Sequence, residues 1–384
     1  MSAPIRESLP PLSLYIHIPW CIRKCPYCDF NSHRAEEELP EQSYCDSLIE
    51  DLQQSKDLSQ GRALQSIFIG GGTPSLFSPH AFERILSACE EIVGFEQDIE
   101  ITMEANPGTA EQQRFTGYRQ AGINRLSIGV QSFGDEQLKA LGRIHSADQA
   151  SKAMEMARKA GFDNVNLDLM HGLPQQSVGS AKQDLQQAIA LAPEHLSWYQ
   201  LTIEPNTEYY KRPPLLPIDD ELAEIQIQGQ ELLAQHGYQQ YEISAYSRGQ
   251  QSRHNLNYWK FGDYLGIGAG AHAKISRQQA VNRHWKTRLP AHYLDSGRSY
   301  TAGEEIVQGE QLILEFMMNA LRLSDGFELD LFEQRTFLPF SAIKPQLSEL
   351  ESEGLVSIEN GLLCPTDLGQ RFLNDVIARF LPAD

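Results

Sequence analysis

Tyr15-Ile16-His17-Ile18-Pro19-Trp20-Cys21-Ile22-Arg23-Lys24-Cys25-Pro26-Tyr27-Cys28-Asp29-Phe30 is the stretch around which the chain is organised. A β-patterned run, Leu14, Ile16 and Ile18, delivers the chain to three cysteines, and Pro19 and Pro26 keep the loop from coiling into a helix. Three thiolates so spaced can close around one iron-sulfur cube, which leaves one iron corner without a protein ligand and open to a reactant. A zinc site with His17 or His33 as fourth ligand competes, although structural zinc ribbons usually use two cysteine pairs and a second pair is missing. A disulfide reading is weaker, because the clustered cysteines are odd in number. Cys45, Cys89 and Cys364 fall in helix- and strand-patterned segments, as ordinary small buried or half-buried residues do.

The 384 residues suffice for two or three domains, or for one barrel plus an appendage. A net charge of −19 argues against an extended nucleic-acid footprint and against electrostatic attachment to an anionic membrane. The N-terminus, with Pro4, Pro10 and Pro11, lacks the apolar core of a signal peptide and is expected to be flexible over residues 1–11. No run approaches the roughly 18 apolar residues of an integral membrane span. The expected compartment is the cytoplasm, where thiols stay reduced.

Beyond the cysteine loop, strand and helix patterns alternate. Ser66-Ile67-Phe68-Ile69 reads as a buried strand that stops at Gly70-Gly71-Gly72-Thr73-Pro74. Further strands are read at 99–104, 125–130, 164–169 and 195–201, separated by helical patterns at 79–93, 110–120, 147–159 and 178–191. With the first strand this makes six strand-helix units, so the fold class is α/β, a partial (β/α)6 barrel with ligands at the C-terminal strand ends. Cys21, Gly71, Glu104, Gln131 and Asp168 each end a different strand, and a barrel gathers them at one mouth. The duller reading of each is a turn glycine or a helix-cap residue; the triple glycine is no phosphate loop, because the Lys-Ser/Thr ending is missing.

Cys-x3-Cys-x2-Cys after a strand, with Tyr27 before the last cysteine, resembles the radical S-adenosylmethionine (SAM) superfamily. Tyr15-x-His17-x-Pro19-x-Cys21 is similar to its oxygen-independent coproporphyrinogen III oxidase-like branch. The resemblance implies a 4Fe-4S cluster on Cys21, Cys25 and Cys28, whose open iron is chelated by SAM and whose electron breaks the sulfonium to a 5′-deoxyadenosyl radical. It implies a first SAM site at Tyr15, Gly71 and Glu104 with Tyr27 against the adenine, and a second at Gly72, Thr73, Gln131, Arg143 and Asp168. Glu104 suits the ammonium group and Arg143 the carboxylate, each through a charge-assisted bond. The match covers roughly residues 12–201, within the expected barrel domain of 12–210.

Residues 211–300 read as a barrel extension. A lid of tyrosines and prolines (Tyr209, Tyr210, Pro213, Pro214, Pro217) leads to a helix over 219–236 and a strand at 241–244. The pattern His254-Asn255-x-x-Tyr258 resembles the haem chaperone branch of the same family, which implies haem as a cofactor with His254 or Tyr258 as axial ligand. Gly262 to His272 is dense in glycine, which implies backbone packed against a ligand or another strand; His272 reads as a structural histidine hydrogen-bonded within a turn. From 301 to 384 helices and an Asn360-Gly361 hairpin suggest a winged-helix-like α+β domain. Five Lys and Arg against 15 Asp and Glu between Glu304 and Asp384, net −10, would repel phosphate, so this domain reads as a cover over the barrel mouth or a partner-docking surface.

Three functions follow. The first is a haem chaperone that keeps the cluster and SAM, with haem, a haem-accepting protein such as a respiratory haem protein, a flavodoxin or ferredoxin electron donor and a homodimer as implied partners, and no nucleic acid. The second is oxidative decarboxylation of coproporphyrinogen III; the oxidase pattern has a cysteine where Phe30 stands and a longer segment than the 14 residues before Tyr15, so the chaperone is the expectation. The third is a structural or regulatory iron-sulfur module. Enzymatic turnover is left open.

Overall fold

A computed structural model of the chain describes residues 9–35, 38–108, 112–143, 145–277 and 279–382. Most of the N-terminal stretch read as flexible, and the start of the helix read at 110–120, lie outside the described residues.

Six strands pair side by side in chain order and all parallel: β1 Leu12–Ile18, β2 Leu64–Gly71, β3 Phe95–Ala105, β4 Arg125–Gln131, β5 Val165–His171 and β6 His195–Gln200. Their apolar residues face the helices while polar ones alternate toward the barrel interior, and the strands are largely buried; six of the seven β1 residues are buried. Helices α1 Glu41–Ser55, α2 Pro79–Ile92, α3 Phe115–Gln120, α4 Ala147–Lys159 and α5 Val178–Ala190 pack outside, and one core joins them to the strands. The sequence-derived partial barrel is what the chain forms.

The extension is a continuation of that sheet. Helix α6 Asp219–Gln235 leads to the hairpin β7 Gln239–Glu242 and β8 Ala245–Ser247, which adds antiparallel to β6. After helix α7 Arg253–Trp259, strand β9 Asp263–Ile267 returns to pair parallel with β1 on its free edge. Antiparallel β10 His272–Arg277, β11 Ala280–Lys286 and β12 Thr301–Val307 complete a twelve-stranded sheet, β12-β11-β10-β9-β1-β2-β3-β4-β5-β6-β8-β7. The glycine density around 266 answers to backbone approach: a Cβ on Gly266 would stand 2.0 Å from the His272 carbonyl oxygen.

The C-terminal unit runs α8 Gly309–Ala320, β13 Phe327–Glu328, α9 Leu329–Thr336, α10 Lys344–Ser352, β14 Val356–Glu359 and β15 Leu362–Pro365, a winged-helix-like order with its own three-stranded sheet. Asn360 (φ 52°) and Gly361 (φ 85°) both take the left-handed conformation a two-residue hairpin turn needs. The expected boundary at 301 falls on β12, which belongs to the large sheet. Phe261, Val281 and Val307 of the extension share the core of the C-terminal unit with Phe316, Phe332 and Leu363. Among the described residues no helix is long and apolar enough to cross a membrane.

Candidate functional site

The loop after β1 is held by backbone. His33 N donates to Pro19 O at 2.7 Å, Ala35 N to Cys21 O at 2.8 Å and Cys28 N to Cys25 O at 3.2 Å. Gly72 N donates to Ile18 O and Thr73 N to Trp20 O, both at 2.7 Å, so the glycine turn after β2 is fastened to the cysteine loop. Only glycine fits that seam: at Gly71 φ is +112° and a Cβ would stand 2.4 Å from His17, and at Gly72 it would stand 2.4 Å from the Trp20 carbonyl oxygen.

Cys21, Cys25 and Cys28 are free thiols lining one cavity of about 810 Å³ at the C-terminal ends of the strands. Burial pushes the Cys21 and Cys28 thiols up, against the hydroxyls of Thr73 and Ser32, so ligation there would release protons. The zinc reading loses His17 as its fourth ligand. His17 has both ring nitrogens engaged, Nδ1 with Tyr15 Oη (2.9 Å) and Nε2 with Asn31 O (2.8 Å), and His33 Nε2 faces Asn31 Oδ1 at 3.3 Å. Among the described residues no three His, Cys, Asp or Glu side chains converge on a single ion. A cube asks for something else, since each of its ligands binds a different corner. The disulfide reading falls with the six free cysteines, of which Cys45 and Cys89 are buried in the core.

The same cavity takes in Tyr27, Gly71, Gly72, Thr73, Glu104, Gln131, Arg143 and Asp168, so the strand-end residues do meet at one mouth. Glu104 accepts from Gly71 N at 3.0 Å; burial, with Asp168 adding to it, pushes its carboxyl up to about 7. Asp168, also pushed up by burial, accepts from Ser127 Oγ and Asn166 Nδ2 at 2.8 Å each. Arg143 donates to Asn106 Oδ1 at 3.1 Å, while its buried Nε has no partner among the described residues. A cationic donor without a partner and a buried carboxyl in one cavity are complementary in charge to carboxylate and ammonium groups. Gln131 holds φ +71° at the tip of β4, with Oε1 accepting from Tyr199 Oη at 2.8 Å. Such strain at a non-glycine position marks functional sites.

Tyr15 is the exception. It lines a second cavity of about 670 Å³, with Phe30, Phe68, Gly71, Glu104, His254, Tyr258, Tyr264, His272 and Trp285. Phe30, Phe68, Gly71 and Glu104 are common to both cavities, so the two lie wall to wall. His254 stacks on Phe68 (ring centroids 4.4 Å) and packs at a tilt against Tyr258 (4.6 Å); burial, with the Arg125 charge, pushes its imidazole down to about 3, and its buried Nδ1 has no partner among the described residues. A neutral imidazole with an unused nitrogen beside an aromatic cavity is a fit ligand for haem iron. His272 differs from its structural reading: it opens β10, stands exposed, and its imidazole makes no hydrogen bond with the described residues.

Sequence reasoning missed Asn106, Arg125, Ser127, Asn166 and Tyr199 in the main cavity. It also offered the C-terminal unit as a cover over the mouth; that unit lines neither cavity and instead meets the barrel at Glu242, bridged to Leu323, and at Trp259, under the Arg322 guanidinium.

Comparison with known proteins gives consistent findings. The family model described as "Radical SAM superfamily" matches residues 15–188 and that described as "HemN C-terminal domain" matches 307–372. The protein named Heme chaperone HemW from Haemophilus influenzae is 50% identical over 379 residues, 97% of this chain and 98% of that protein. The Escherichia coli protein of the same name is 50% identical, covering 97% and 99% of the two chains, and that of Bacillus subtilis 33%, covering 96% and 99%. Among solved structures, Escherichia coli coproporphyrinogen III oxidase (HemN), described as a radical SAM enzyme, matches with TM-score 0.81 at 24% identity, covering 97% of this chain and 90% of that one, which shows the shared fold.

Proposed function

We propose, from the premise that the chain belongs to the HemW family of heme chaperones within the radical SAM superfamily, that it binds haem and passes it to an acceptor protein while holding a 4Fe-4S cluster and SAM. The observation that carries the reading is His254: a buried, neutral imidazole with an unpartnered Nδ1 on the wall of an aromatic cavity next to the cysteine loop's own. Cys21, Cys25 and Cys28 would hold the cluster, the turn at Gly71 with Glu104 the amino-acid part of SAM, and Arg143 a carboxylate in the same cavity. When bound, cluster and SAM supply one-electron cleavage of the sulfonium. The chain's own residues orient: the Gly71 N–H fixes Glu104, Asn106 fixes Arg143, and Ser127 and Asn166 fix Asp168. Flavodoxin or ferredoxin as reductant, a respiratory haem protein as acceptor, the cytoplasm as compartment and a homodimer as assembly complete the proposal.

One observation favours a second reading. Gly72, Thr73, Gln131, Arg143 and Asp168, the residues of the second SAM site, all line the main cavity, as decarboxylation of coproporphyrinogen III would use them. One experiment separates the two: anaerobically reconstituted protein is titrated with haem and, beside it, incubated with coproporphyrinogen III, SAM and reductant. Stoichiometric haem binding that is lost in His254→Ala, without porphyrinogen product, is expected. Protoporphyrinogen formation reverses the ranking, and iron content unchanged in Cys21→Ala, Cys25→Ala and Cys28→Ala removes the cluster.

A further inference from the structure

Three histidines line the second cavity, and they differ in what their nitrogens already do. His17 is spent, with Tyr15 Oη on Nδ1 and Asn31 O on Nε2. His254 has its buried Nδ1 free. The imidazole of His272, at the start of β10, has neither a hydrogen bond nor an ion pair among the described residues, although the strand around it is built into the sheet through Trp285. His272 is exposed, and it lines a cavity rimmed by Tyr15, Phe30, Phe68, Tyr258, Tyr264 and Trp285; of the two cations on that wall Lys286 is paired with Asp51, which leaves the Arg288 guanidinium. Among the described residues that guanidinium donates to Asn31 Oδ1, at 3.2 Å, and it suits the carboxylate edge of a tetrapyrrole in a chain otherwise strongly acidic. Flat aromatic walls, two unengaged imidazoles and one cation are the recognition set for a haem held from both faces.

We propose that His272 supplies a second imidazole to the haem iron that His254 ligates, so that ferric haem in this protein is six-coordinate. The inference rests on the haem-site reading above and goes beyond it by assigning the second ligand. Burial, with the cationic Arg125, holds the His254 imidazole neutral at physiological pH, the form that ligates; His272, exposed but partly desolvated and near Arg283, is also shifted toward the neutral form.

The test is optical and electron paramagnetic resonance spectroscopy of the full chain, reconstituted anaerobically and loaded with ferric haem. The wild type is expected to give a low-spin six-coordinate signal. His272→Ala, a change at an exposed side chain, should keep the cluster iron content and melting temperature, lose the low-spin signal, and regain it when free imidazole is added. A low-spin signal that persists in His272→Ala, or a wild type already high-spin, overturns the assignment. His254→Ala tells the two readings apart. Loss of the signal in His254→Ala but not in His272→Ala sinks His272 alone, whereas spectra and affinity unchanged in both variants sink the haem site itself.

Discussion

Glu104 is the titrating hinge of the main cavity. Burial and the neighbouring Asp168 keep its carboxyl neutral until about pH 7, against the pull of the Gly71 N–H and Arg143. A raised carboxyl carries the opposite sign from a salt-bridged one: the charged form costs stability as pH climbs from the ordinary carboxyl range through about 7, and an ammonium ligand must recover that cost. SAM affinity in the reconstituted protein should therefore level off above about pH 7 and fall toward tenfold per unit below it, a profile calorimetric titration can record. Glu104→Gln should bind more weakly and without that slope; an unchanged slope would move the titration to another group. Gly72 offers a sharper test of the seam, because the atom its Cβ would strike is backbone: Gly72→Ala should lose cluster iron, measured per chain, while Gly179→Ala, whose Cβ would meet only Ser177 Oγ at 3.8 Å, should keep it. At this scale the sequence was half legible. Gln131 and Asp168 as strand ends set the parity of inward positions, and Arg125, Ser127 and Gly129 on β4, with Asn166 and Met170 on β5, follow at intervals of two into the same cavity. Asn106 follows from no such rule, since it lies beyond the end of β3.

Helix α7 partitions the two cavities. His254 and Tyr258, four apart, line the second cavity, while Asn255 and Trp259, also four apart, line the main one. Its N-terminus is capped twice. Ser252 Oγ accepts from Asn255 N at 3.3 Å, and the buried Glu100 carboxylate from β3 accepts from Arg253 N (3.1 Å) and His254 N (3.2 Å). A carboxylate at a helix start is favoured by the dipole as well as by the two bonds. Glu100→Gln keeps the shape and removes the charge, so it should cost about 1–2 kcal/mol by denaturant titration and weaken haem binding while leaving cluster iron intact. Equal haem affinity in this variant would mean that the helix is positioned by its packing alone. Ser252 is readable as a cap signal from sequence. Glu100 is not, because it is a strand residue some 150 positions upstream, and nothing local couples the two.

The large sheet shows where sequence reading stops. Six parallel strands were legible because each strand-helix unit is coded by local periodicity. The seventh was not, because β9 pairs with β1 across about 250 residues and its glycines disguise it as a loop. What fastens that return to the barrel is buried charge. Lys274 pairs with Asp263 (3.1 Å), which also holds Arg62 (2.7 Å), and Lys286 of β11 pairs with Asp51 of α1 at 2.5 Å with both side chains at most 5% exposed. Asp51 also accepts from Tyr293 Oη at 2.6 Å, so one carboxylate ties α1 to two segments of the extension. Removing one partner of such a pair strands the other in a dry site, which costs about 3–5 kcal/mol, whereas an exposed pair contributes about 0–1 kcal/mol. Asp51→Asn should therefore lower unfolding free energy by about 3–5 kcal/mol in denaturant titration. Glu353→Gln, which breaks the half-exposed Arg379 pair of the C-terminal unit, should stay within about 1 kcal/mol of wild type. Replacing both members, as Asp51→Leu with Lys286→Met, should recover much of the loss, because no lone charge is left behind. If Asp51→Asn proves as mild as Glu353→Gln, the strand pairing of β9 with β1 holds the extension without help from charge, and the second cavity, walled by β9 to β11, owes its shape to backbone.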